Sequence, residues 1–327
     1  MIRYISEDDV VATLSMARTI ELLEAASLAL AAKTAVNAPR QRVKAGGPML
    51  QMLPAALGNR VGFKAYTIGA TGVRFLVSIY GSSGELLAII EANQLGQIRT
   101  GAASGLATKI LARENATTLG VIGTGFQART QVEAVCAVRP IARVFAYGRD
   151  PVRLRTFCED VATRVNVPVI AVRSAREAIV ESDVVCTMTS ASRPVFEGRW
   201  LNDGAHVNAA GSNRITAQEI DVETVRRASL VAVEDVAQAK IEAGDLRVAS
   251  QAGAFRWLDA VPLASLVAGT IEGRRDPSEI TLFESLGIGL WDLAAGSYVY
   301  DACVAAGRGR EIDMPSWIEA PAASTSR

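Results

Sequence analysis

The stretch TLGVIGTGFQARTQVEAV, residues 118–135, decides the fold of this chain. An apolar run ends at Ile122, and Gly123, Gly125 and Ala128 then form the pattern GxGxxA before a helix-forming segment. Gly123 permits a tight turn, Gly125 lets a phosphate approach the backbone, and Ala128 lets the helix pack closely on the strand. The first turn of such a helix also presents free N–H groups to an anion. The stretch therefore predicts a strand–loop–helix unit that binds the pyrophosphate of a dinucleotide.

The sequence after residue 117 alternates short apolar runs with helical segments. The apolar runs are 118–122, 142–147, 167–172, 183–188, 205–210 and 229–234. Helical segments are expected near 126–138, 151–165, 174–181 and 216–227. Nearly continuous apolar runs joined by helical crossovers are typical of a parallel sheet that is covered on both faces. We therefore predict an α/β fold whose doubly wound parallel-sheet (Rossmann) domain binds NAD(P).

The sequence before residue 117 predicts an α+β unit. A short strand and then a helix that starts at Ser15 are expected within residues 1–35. Further expected elements are strands at 60–67, 73–80 and 86–91, a hairpin turn at 81–85 and a helix at about 96–112. A last helix is predicted after about residue 290, returning to this unit, with disorder at 320–327.

These expectations divide the chain into two domains. Residues 1–115 plus 291–327 are predicted to form a domain for substrate binding and dimerisation. Residues 116–290 are predicted to form the Rossmann dinucleotide-binding domain.

The composition narrows the classes of function. Lysine plus arginine and aspartate plus glutamate both total 34, so no net charge draws the chain to nucleic acid or to an anionic membrane. No run reaches the roughly 20 apolar residues of a membrane span. The opening residues are acidic where a signal peptide is basic, so a cytoplasmic location is expected. The one histidine, His206, lies in an expected strand and the four cysteines form no CxxC pair, so we expect packed side chains and no metal site.

The end of the second predicted Rossmann strand indicates which cofactor binds. An NAD site usually has an acid there, which accepts hydrogen bonds from the ribose 2′-hydroxyl. Here Gly148 follows the strand and Arg149 comes next, and an arginine suits the 2′-phosphate of NADP(H). Alternatively, Asp150 serves the hydroxyl and Arg149 is a solvated turn residue. NADP(H) is therefore the preferred cofactor, and NAD(H) remains possible.

Several stretches together resemble the ornithine cyclodeaminase/mu-crystallin family over about residues 5–310. They are NAPRQRV at 37–43, MLPA at 52–55, VGFKAYT at 61–67, LGQIRTGAASGLATKIL at 95–111, VIGTGFQA at 121–128 and TLFESLGIGLWDLA at 281–294. The resemblance implies a homodimer formed through the non-Rossmann domain. It also implies an active site between the domains, with a small amino or imino acid as substrate.

The resemblance assigns roles to individual residues. Arg40 and Arg99 are similar to the family's carboxylate-binding arginines, and Lys64 is similar to its active-site lysine. A guanidinium can hold a planar carboxylate through two parallel bonds, and a buried lysine can share a proton with a reacting nitrogen. The residues expected to bind the cofactor are Thr100, Gly123, Thr124, Gly125, Phe126, Gln127, Arg149, Thr189, Ser190, Gly211 and Ser212.

Each of these residues also has a plainer interpretation. Arg40 lies in a polar loop, where arginines are commonly solvated. Lys64 can point outward from its strand, and Arg99 can simply pair with Glu91. Both interpretations stay open at the level of the sequence.

One position departs from the family pattern. The cyclodeaminases that this chain resembles carry an acid/base aspartate after the fifth Rossmann strand, where this chain has Asn213 in NAAGSNRITAQEID. An amide can hydrogen-bond a nicotinamide or a substrate, but it exchanges no proton at neutral pH. Asn213 therefore favours an imino-acid reductase or amino-acid dehydrogenase, which needs fewer proton transfers. The alternatives are an ornithine cyclodeaminase and a ligand-binding protein without turnover, which would have no need of Lys64.

Overall fold

The computed structural model describes residues 1–69 and 72–313, so the expected disorder at 320–327 lies outside the described residues. The strands are β1 Ile2–Ile5, β2 Ala35–Asn37, β3 Gln41–Lys44, β4 Met49–Leu57, β5 Arg60–Gly69, β6 Gly72–Tyr80, β7 Leu86–Glu91, β8 Thr118–Ile122, β9 Arg143–Tyr147, β10 Val169–Ala171, β11 Val184–Thr187, β12 His206–Ala209, β13 Ala228–Val233, β14 Ala260–Pro262, β15 Ile280–Glu284 and β16 Arg310–Ile312. The helices are α1 Glu7–Thr13, α2 Met16–Ala31, α3 Asn93–Leu111, α4 Phe126–Val138, α5 Pro151–Val165, α6 Ala175–Ile179, α7 Val222–Arg227, α8 Val236–Glu242, α9 Gly244–Gln251, α10 Leu263–Val267 and α11 Gly289–Ala305.

The first sheet is mixed and has the strand order β16-β1-β7-β6-β5-β4-β2, with β3 also paired to β4. Helices α2, α3 and α11 pack against it. Side chains alternate between faces, so Gly62, Lys64 and Tyr66 of β5 are buried while Val61 and Thr67 are exposed. The outward interpretation of Lys64 is therefore wrong, because the period-two alternation of the strand turns this lysine toward α11.

The second sheet is entirely parallel, which confirms the predicted fold class. Its order is β10-β9-β8-β11-β12-β15-β13-β14. The next two strands after β8 in sequence, β9 and β10, lie on one side of it, and all later strands of this sheet lie on its other side. All six predicted strands are present, with ends shifted by at most two residues. Strands β14 and β15 were not predicted. β14 has three residues, and β15 contains Thr281 and Glu284, polar residues that are buried here.

One helix predicted between strands of the second sheet is shorter in the structure than the sequence indicates. The expected helix at 216–227 begins only at Val222, where the Asp221 side chain caps it. The preceding residues are irregular because Oδ1 of Asp245 accepts hydrogen bonds from the backbone N–H groups of Glu219 and Ile220. A side chain distant in sequence thus replaces the helical hydrogen bonds at this point.

Two helices link the sheets and carry functional side chains. On α3, Gly101 lies so close to α4 that a Cβ atom there would collide with the carbonyl of Thr130. Helix α11 packs on β4, β5 and β6, so the helix predicted after residue 290 does return to the first sheet. These contacts bring Lys64, Arg99 and Asp292 together from three distant parts of the chain.

The remaining predictions concern single residues. His206 is fully buried, and its ring nitrogens contact Thr281 Oγ1 and Asn208 Oδ1. Burial lowers the pKa of His206 to about 3, so the ring is a neutral packed group, as expected. The four cysteines are free thiols. Within residues 1–69 and 72–313, no helix combines the length and apolar character needed to cross a membrane.

Candidate active site at the carboxyl edge of the parallel sheet

A cavity of about 680 Å³ opens at the carboxyl ends of β8, β9 and β11. Its lining includes six of the residues predicted to bind the cofactor, namely Gly123, Thr124, Gly125, Arg149, Thr189 and Ser190. Ligands of open parallel sheets bind at this edge, where the strand order reverses. The cavity therefore lies where a dinucleotide is expected.

The GxGxxA loop fits a pyrophosphate. Gly123 has a φ of +113°, and a Cβ atom there would collide with the carbonyl oxygen of Met188. A Cβ atom at Gly125 would meet no protein atom within 4 Å, so this glycine leaves open space rather than serving packing within the protein. Helix α4 starts at Phe126 with no side-chain cap, so its first N–H groups remain available to an anion. Ala128 is buried between the helix and the sheet.

Charged side chains in the lining of this cavity are those of three arginines and one acid, Arg149, Arg153, Arg193 and Asp150. The carboxylate of Asp150 instead caps α5, with its Oδ1 atom 2.9 Å from the N–H nitrogen of Val152 and 3.1 Å from that of Arg153. Helix capping thus engages one carboxylate oxygen of the acid that was the alternative partner for a ribose hydroxyl.

A second cavity, of about 250 Å³, adjoins the first, and Met188 lines both. The predicted residues in its lining are Arg40, Lys64, Arg99, Thr100, Gln127, Gly211, Ser212 and Asn213. The predicted site residues are thus divided between two neighbouring cavities, and Thr100 and Gln127 lie in the smaller one. Phe126 lines neither cavity and is 49% exposed.

Asp292 joins the lysine to one arginine in the smaller cavity. Its Oδ1 atom lies 3.2 Å from Nζ of Lys64 and 2.8 Å from Nε of Arg99, and all three side chains are buried. Burial lowers the pKa of Lys64 to about 7, with the charge of Arg99 acting in the same direction and Asp292 opposing it. Burial alone would raise the pKa of Asp292, but the charges of Arg99 and Lys64 outweigh burial and hold it below its usual value.

The alternative partner for Arg99 is therefore wrong. Glu91 accepts hydrogen bonds from the hydroxyl of Tyr4 and the backbone N–H of Glu7. Nε of Arg99 instead donates to Asp292 on α11.

The two arginines differ in what they can offer a ligand. Arg40 donates to the Tyr66 hydroxyl at 2.5 Å and to the carbonyls of Leu286 and Gly287, and its Nε atom lies 3.2 Å from the Glu242 carboxylate. For Arg99, by contrast, Nε is the only nitrogen with a hydrogen bond inside the described part of the chain. Arg99 therefore keeps both terminal nitrogens for a ligand carboxylate, whereas Arg40 is largely committed to the protein.

The rest of the smaller cavity combines apolar walls with neutral polar groups. Ile68, Val73 and Phe75 line one side, and Nζ of Lys64 lies 4.7 Å from the centre of the Phe75 ring. Among the described residues that line this cavity none is acidic. Asn213 lies at its edge, where its backbone carbonyl accepts a hydrogen bond from Arg42.

Sequence reasoning missed Asp292 and Glu242. No role was predicted for Asp292 in the stretch TLFESLGIGLWDLA. A lone acid in an apolar helix is nevertheless a signal of a buried ion pair. Glu242 holds both Arg40 and Arg42 and gave no local signal, because it ends an ordinary amphipathic segment.

The fold is that of a dinucleotide-binding α/β protein, and the smaller of its two adjoining cavities is lined by the cationic side chains of Arg40, Lys64 and Arg99. The chain belongs to the ornithine cyclodeaminase/mu-crystallin family, whose sequence profile matches residues 4–307. The membership predicted from the sequence is thereby confirmed.

One relative and two solved structures show in more detail which proteins this chain is similar to. A Delta(1)-pyrroline-2-carboxylate reductase of Bacillus cereus is 42% identical over 233 residues, which is 71% of each protein. The structure of Thermococcus litoralis Delta(1)-pyrroline-2-carboxylate reductase in complex with NADH and L-proline has a TM-score of 0.91 at 31% identity and covers 95% of this chain and all of that one. An archaeal alanine dehydrogenase dimer with bound NAD has a TM-score of 0.90 at 29% identity, over 95% of this chain and 99% of that one.

Proposed function

We propose that this chain is an NAD(P)-dependent oxidoreductase that reduces an imino acid to an amino acid, with Delta(1)-pyrroline-2-carboxylate as the leading substrate. One observation carries the proposal. One carboxylate, Asp292, holds both the Nζ atom of Lys64 and the Nε atom of Arg99, and this leaves the terminal nitrogens of Arg99 free beside a small cavity that adjoins the dinucleotide cavity at Met188. The reductases named above support the same reaction class.

The substrate carboxylate binds the guanidinium of Arg99. Its two terminal nitrogens form a planar fork that matches a carboxylate, and Nε is fixed by Asp292, so the fork is preorganised. Arg40 adds positive charge and supports the wall through Tyr66. A small ring then packs on Ile68, Val73 and Phe75.

Lys64 handles the proton on the imine nitrogen. A protonated imine carbon is more electrophilic, and a lysine with a pKa of about 7 can donate its proton near neutral pH. A reduced nicotinamide cofactor held by the residues of the larger cavity would supply the hydride for that carbon. In the reverse direction the neutral lysine accepts a proton from the amino acid.

The same cavity argues against the cyclodeaminase alternative. Ornithine carries a second ammonium, which needs an anionic or acid/base partner. The lining residues of the smaller cavity among those described include no acid, and Asn213 holds the position where the cyclodeaminases carry aspartate. A ligand-binding protein without turnover would have no need of a buried lysine with a lowered pKa, such as Lys64.

The arginines in the lining of the larger cavity support a preference for NADP(H). Arg149, Arg153 and Arg193 can surround a 2′-phosphate, while Asp150 is engaged in capping α5. A side chain at Gly148 would press on Thr124, with its Cβ 2.8 Å from Thr124 Cγ2, which disfavours an acid there. Two of the relatives described above bind NADH or NAD, so this preference would set the chain apart from them.

The open face of the first sheet supports a homodimer. Exposed apolar side chains on β4, β5 and β6 include Leu50, Val61 and Leu76, whereas α11 covers the other face. A contiguous apolar face of this kind is typical of a subunit interface. The proposed dimerisation domain, residues 1–115 plus 291–327, contains these strands, and 116–290 is the proposed Rossmann domain. A cytoplasmic location stays a prediction.

A substrate panel tests the proposed function. The purified chain is mixed with NADPH or NADH and with cyclic imino acids, linear imino acids or ornithine, and the products are identified. We expect cofactor oxidation and proline from Delta(1)-pyrroline-2-carboxylate. Proline plus ammonia from ornithine alone would instead establish the cyclodeaminase, and cofactor binding without any turnover would establish the non-catalytic protein.

A further inference from the structure

Glu219 is a buried carboxylate that the proposed reaction does not use. It lies on the irregular segment before α7 and is 1% exposed. Its carboxylate accepts four hydrogen bonds, from Thr189 N at 2.6 Å, Thr189 Oγ1 at 2.7 Å, Gly211 N at 2.6 Å and Thr187 Oγ1 at 3.1 Å. Two of these donors are backbone groups on loops that are separated in sequence.

The two loops belong to different cavities. Thr189 follows β11 and lines the larger cavity, whereas Gly211 follows β12 and lines the smaller one. The loops are packed tightly at this point, because a Cβ at Gly211 would lie 2.5 Å from both carboxylate oxygens of Glu219. Glu219 therefore ties the loops together where the two cavities meet, beside Met188.

We propose that Glu219 is a positioning residue for the nicotinamide ring. By bonding to both the Thr189 loop and the Gly211 loop, it fixes their relative placement and so the position in which the ring binds. The inference rests on the proposed cofactor site. It adds a residue that touches neither substrate nor dinucleotide and acts through the backbone of the two loops. Removal of Glu219 is expected to weaken binding of the nicotinamide half of the cofactor. Binding of the adenosine half should not change, because its loop at Gly148 and Arg149 lies elsewhere in the cavity.

The charge of Glu219 matters because only an ionised carboxylate can accept from all four donors. Burial raises the pKa of Glu219 to about 7, against the hydrogen bonds from Thr189 and Gly211. The titratable groups that face it are Asp245 and Glu284. Burial raises the pKa of Asp245 to about 6 and that of Glu284 well above its usual range, and these two acids share a hydrogen bond.

This arrangement gives the sign of a pH effect. As the pH falls through about 7, Glu219 gains a proton, and the protonated oxygen becomes a poorer acceptor for the backbone N–H of Thr189 or Gly211 that it faces. The loops then lose their common acceptor. Affinity for the reduced dinucleotide should therefore fall in acid, while affinity for ADP-ribose, which lacks the nicotinamide, should stay constant.

The test compares Glu219→Gln with wild type in the full-length protein. Two ligands are titrated from acid to weakly alkaline pH, and the Kd of each is measured. One is the reduced dinucleotide that binds more tightly, and the other is the ADP-ribose part of that same dinucleotide, which lacks the nicotinamide. Since one buried donor left unsatisfied weakens an interaction substantially, we expect about a tenfold higher Kd for the dinucleotide in the variant at alkaline pH. We also expect a flat pH dependence for the variant and an unchanged Kd for ADP-ribose.

Asp183→Asn is the matched control. Asp183 also binds backbone N–H groups in the parallel-sheet part of the chain, at Thr117 and Thr118, but at the amino edge of β8. It should keep the wild-type affinity and pH dependence. If Glu219→Gln fails to fold, Thr187→Val removes one bond to the carboxylate from a buried residue that lines neither cavity and should raise the dinucleotide Kd roughly threefold while sparing ADP-ribose.

The proposal is overturned if the variant binds the dinucleotide with wild-type affinity and pH dependence, or if ADP-ribose weakens in parallel, since a general loss of structure would affect both ligands. Failure of the proposed cofactor site looks different. In that case the wild-type protein itself would bind no reduced dinucleotide.

Discussion

The ammonium of Lys64 lies 3.2 Å from the carboxylate of Asp292, a residue 228 positions later in the chain. The same oxygen atom of Asp292 holds Nε of Arg99 at 2.8 Å. A single buried anion therefore contacts both the arginine and the lysine that are proposed to act on the substrate. Burial lowers the pKa of Lys64 to about 7, the charge of Arg99 acts in the same direction and Asp292 only partly opposes them, so the lysine can exchange a proton near neutral pH.

Lys64→Ala should abolish turnover and leave cofactor binding nearly intact. The lysine lines the smaller cavity and is absent from the lining of the larger one. An acid/base group typically contributes about 10²–10⁴-fold, so kcat should fall by that order. Steady-state kinetics and a dinucleotide titration measure the two effects.

Lys109→Ala is the control for that experiment. Lys109 pairs with Glu24 on the surface of α3 and lies far from either cavity lining. Its loss should leave the rate unchanged. A Lys64→Ala enzyme with more than about half of normal activity would remove Lys64 from the mechanism.

The rate of imine reduction should fall as pH rises through about 7, because the protonated form of Lys64 is the active one in this direction. Asp292→Asn removes the negative charge that raises the lysine pKa, so the midpoint of this fall in kcat/KM should move to lower pH. The imine's own titration is common to both enzymes, so the difference between them isolates the lysine. Asp301→Asn, on the same helix but in a surface pair with Arg60, should leave the midpoint in place. An unmoved midpoint in Asp292→Asn would contradict the role of this carboxylate.

Gly287→Ala should impair substrate binding specifically. A Cβ atom there would lie 2.6 Å from Nη1 of Arg99, so the guanidinium must move from the position that faces the cavity. We expect KM for the imino acid to rise roughly tenfold with little change in dinucleotide affinity. Gly269→Ala is a close control, since its φ of +66° resembles the +75° of Gly287 and no atom lies within 4 Å of the added carbon. Equal effects of the two substitutions on KM would attribute the loss to backbone strain alone.

NADPH should bind more tightly than NADH, and Arg149→Ala should remove most of the difference. A charge-assisted bond to a 2′-phosphate is worth about 1.5–3 kcal/mol, or roughly 10- to 150-fold in affinity. Fluorescence titration of both reduced cofactors measures the gap. Arg155, an exposed arginine on α5 outside the cavity lining, provides the control substitution to alanine. Equal affinities, or tighter NADH, would mean that Asp150 rather than Arg149 discriminates between the cofactors.

The chain should form a homodimer through the open face of the first sheet. Leu76→Glu places a charge on that face and should shift the mass measured by light scattering at micromolar concentration from dimer to monomer. Ile170→Glu is the control, because Ile170 is a similarly exposed apolar residue on β10 of the other sheet. A monomeric wild-type protein would contradict the prediction.

Local patterns account for what could be predicted from the sequence. Gly123 and Gly125 reveal the cofactor loop because the turn, the open space and the helix start are all encoded within a few residues. The β-branched and aromatic residues of β5 to β7 reveal these strands for the same reason. The position of Lys64 on the buried face follows once its strand is packed against α11, and the family resemblance anticipated that placement.

Long-range packing accounts for what could not be predicted. Asp292, Glu242 and Glu219 act through partners that are distant in sequence, and their own neighbourhoods look like ordinary helix or loop. Likewise, the sequence treats Arg40 and Arg99 as equivalent carboxylate ligands. Only the hydrogen-bond network distinguishes the committed Arg40 from Arg99, whose terminal nitrogens face the cavity.

The most direct measurement for the central claim follows hydride from the cofactor into the product. Delta(1)-pyrroline-2-carboxylate is incubated with the enzyme and with reduced cofactor carrying deuterium in both positions at nicotinamide C4, and the proline formed is analysed by mass spectrometry and NMR. We predict cofactor oxidation with one deuterium at the α-carbon of proline for each cofactor consumed. Proline without deuterium, or no oxidation of the cofactor, would contradict the proposed hydride transfer.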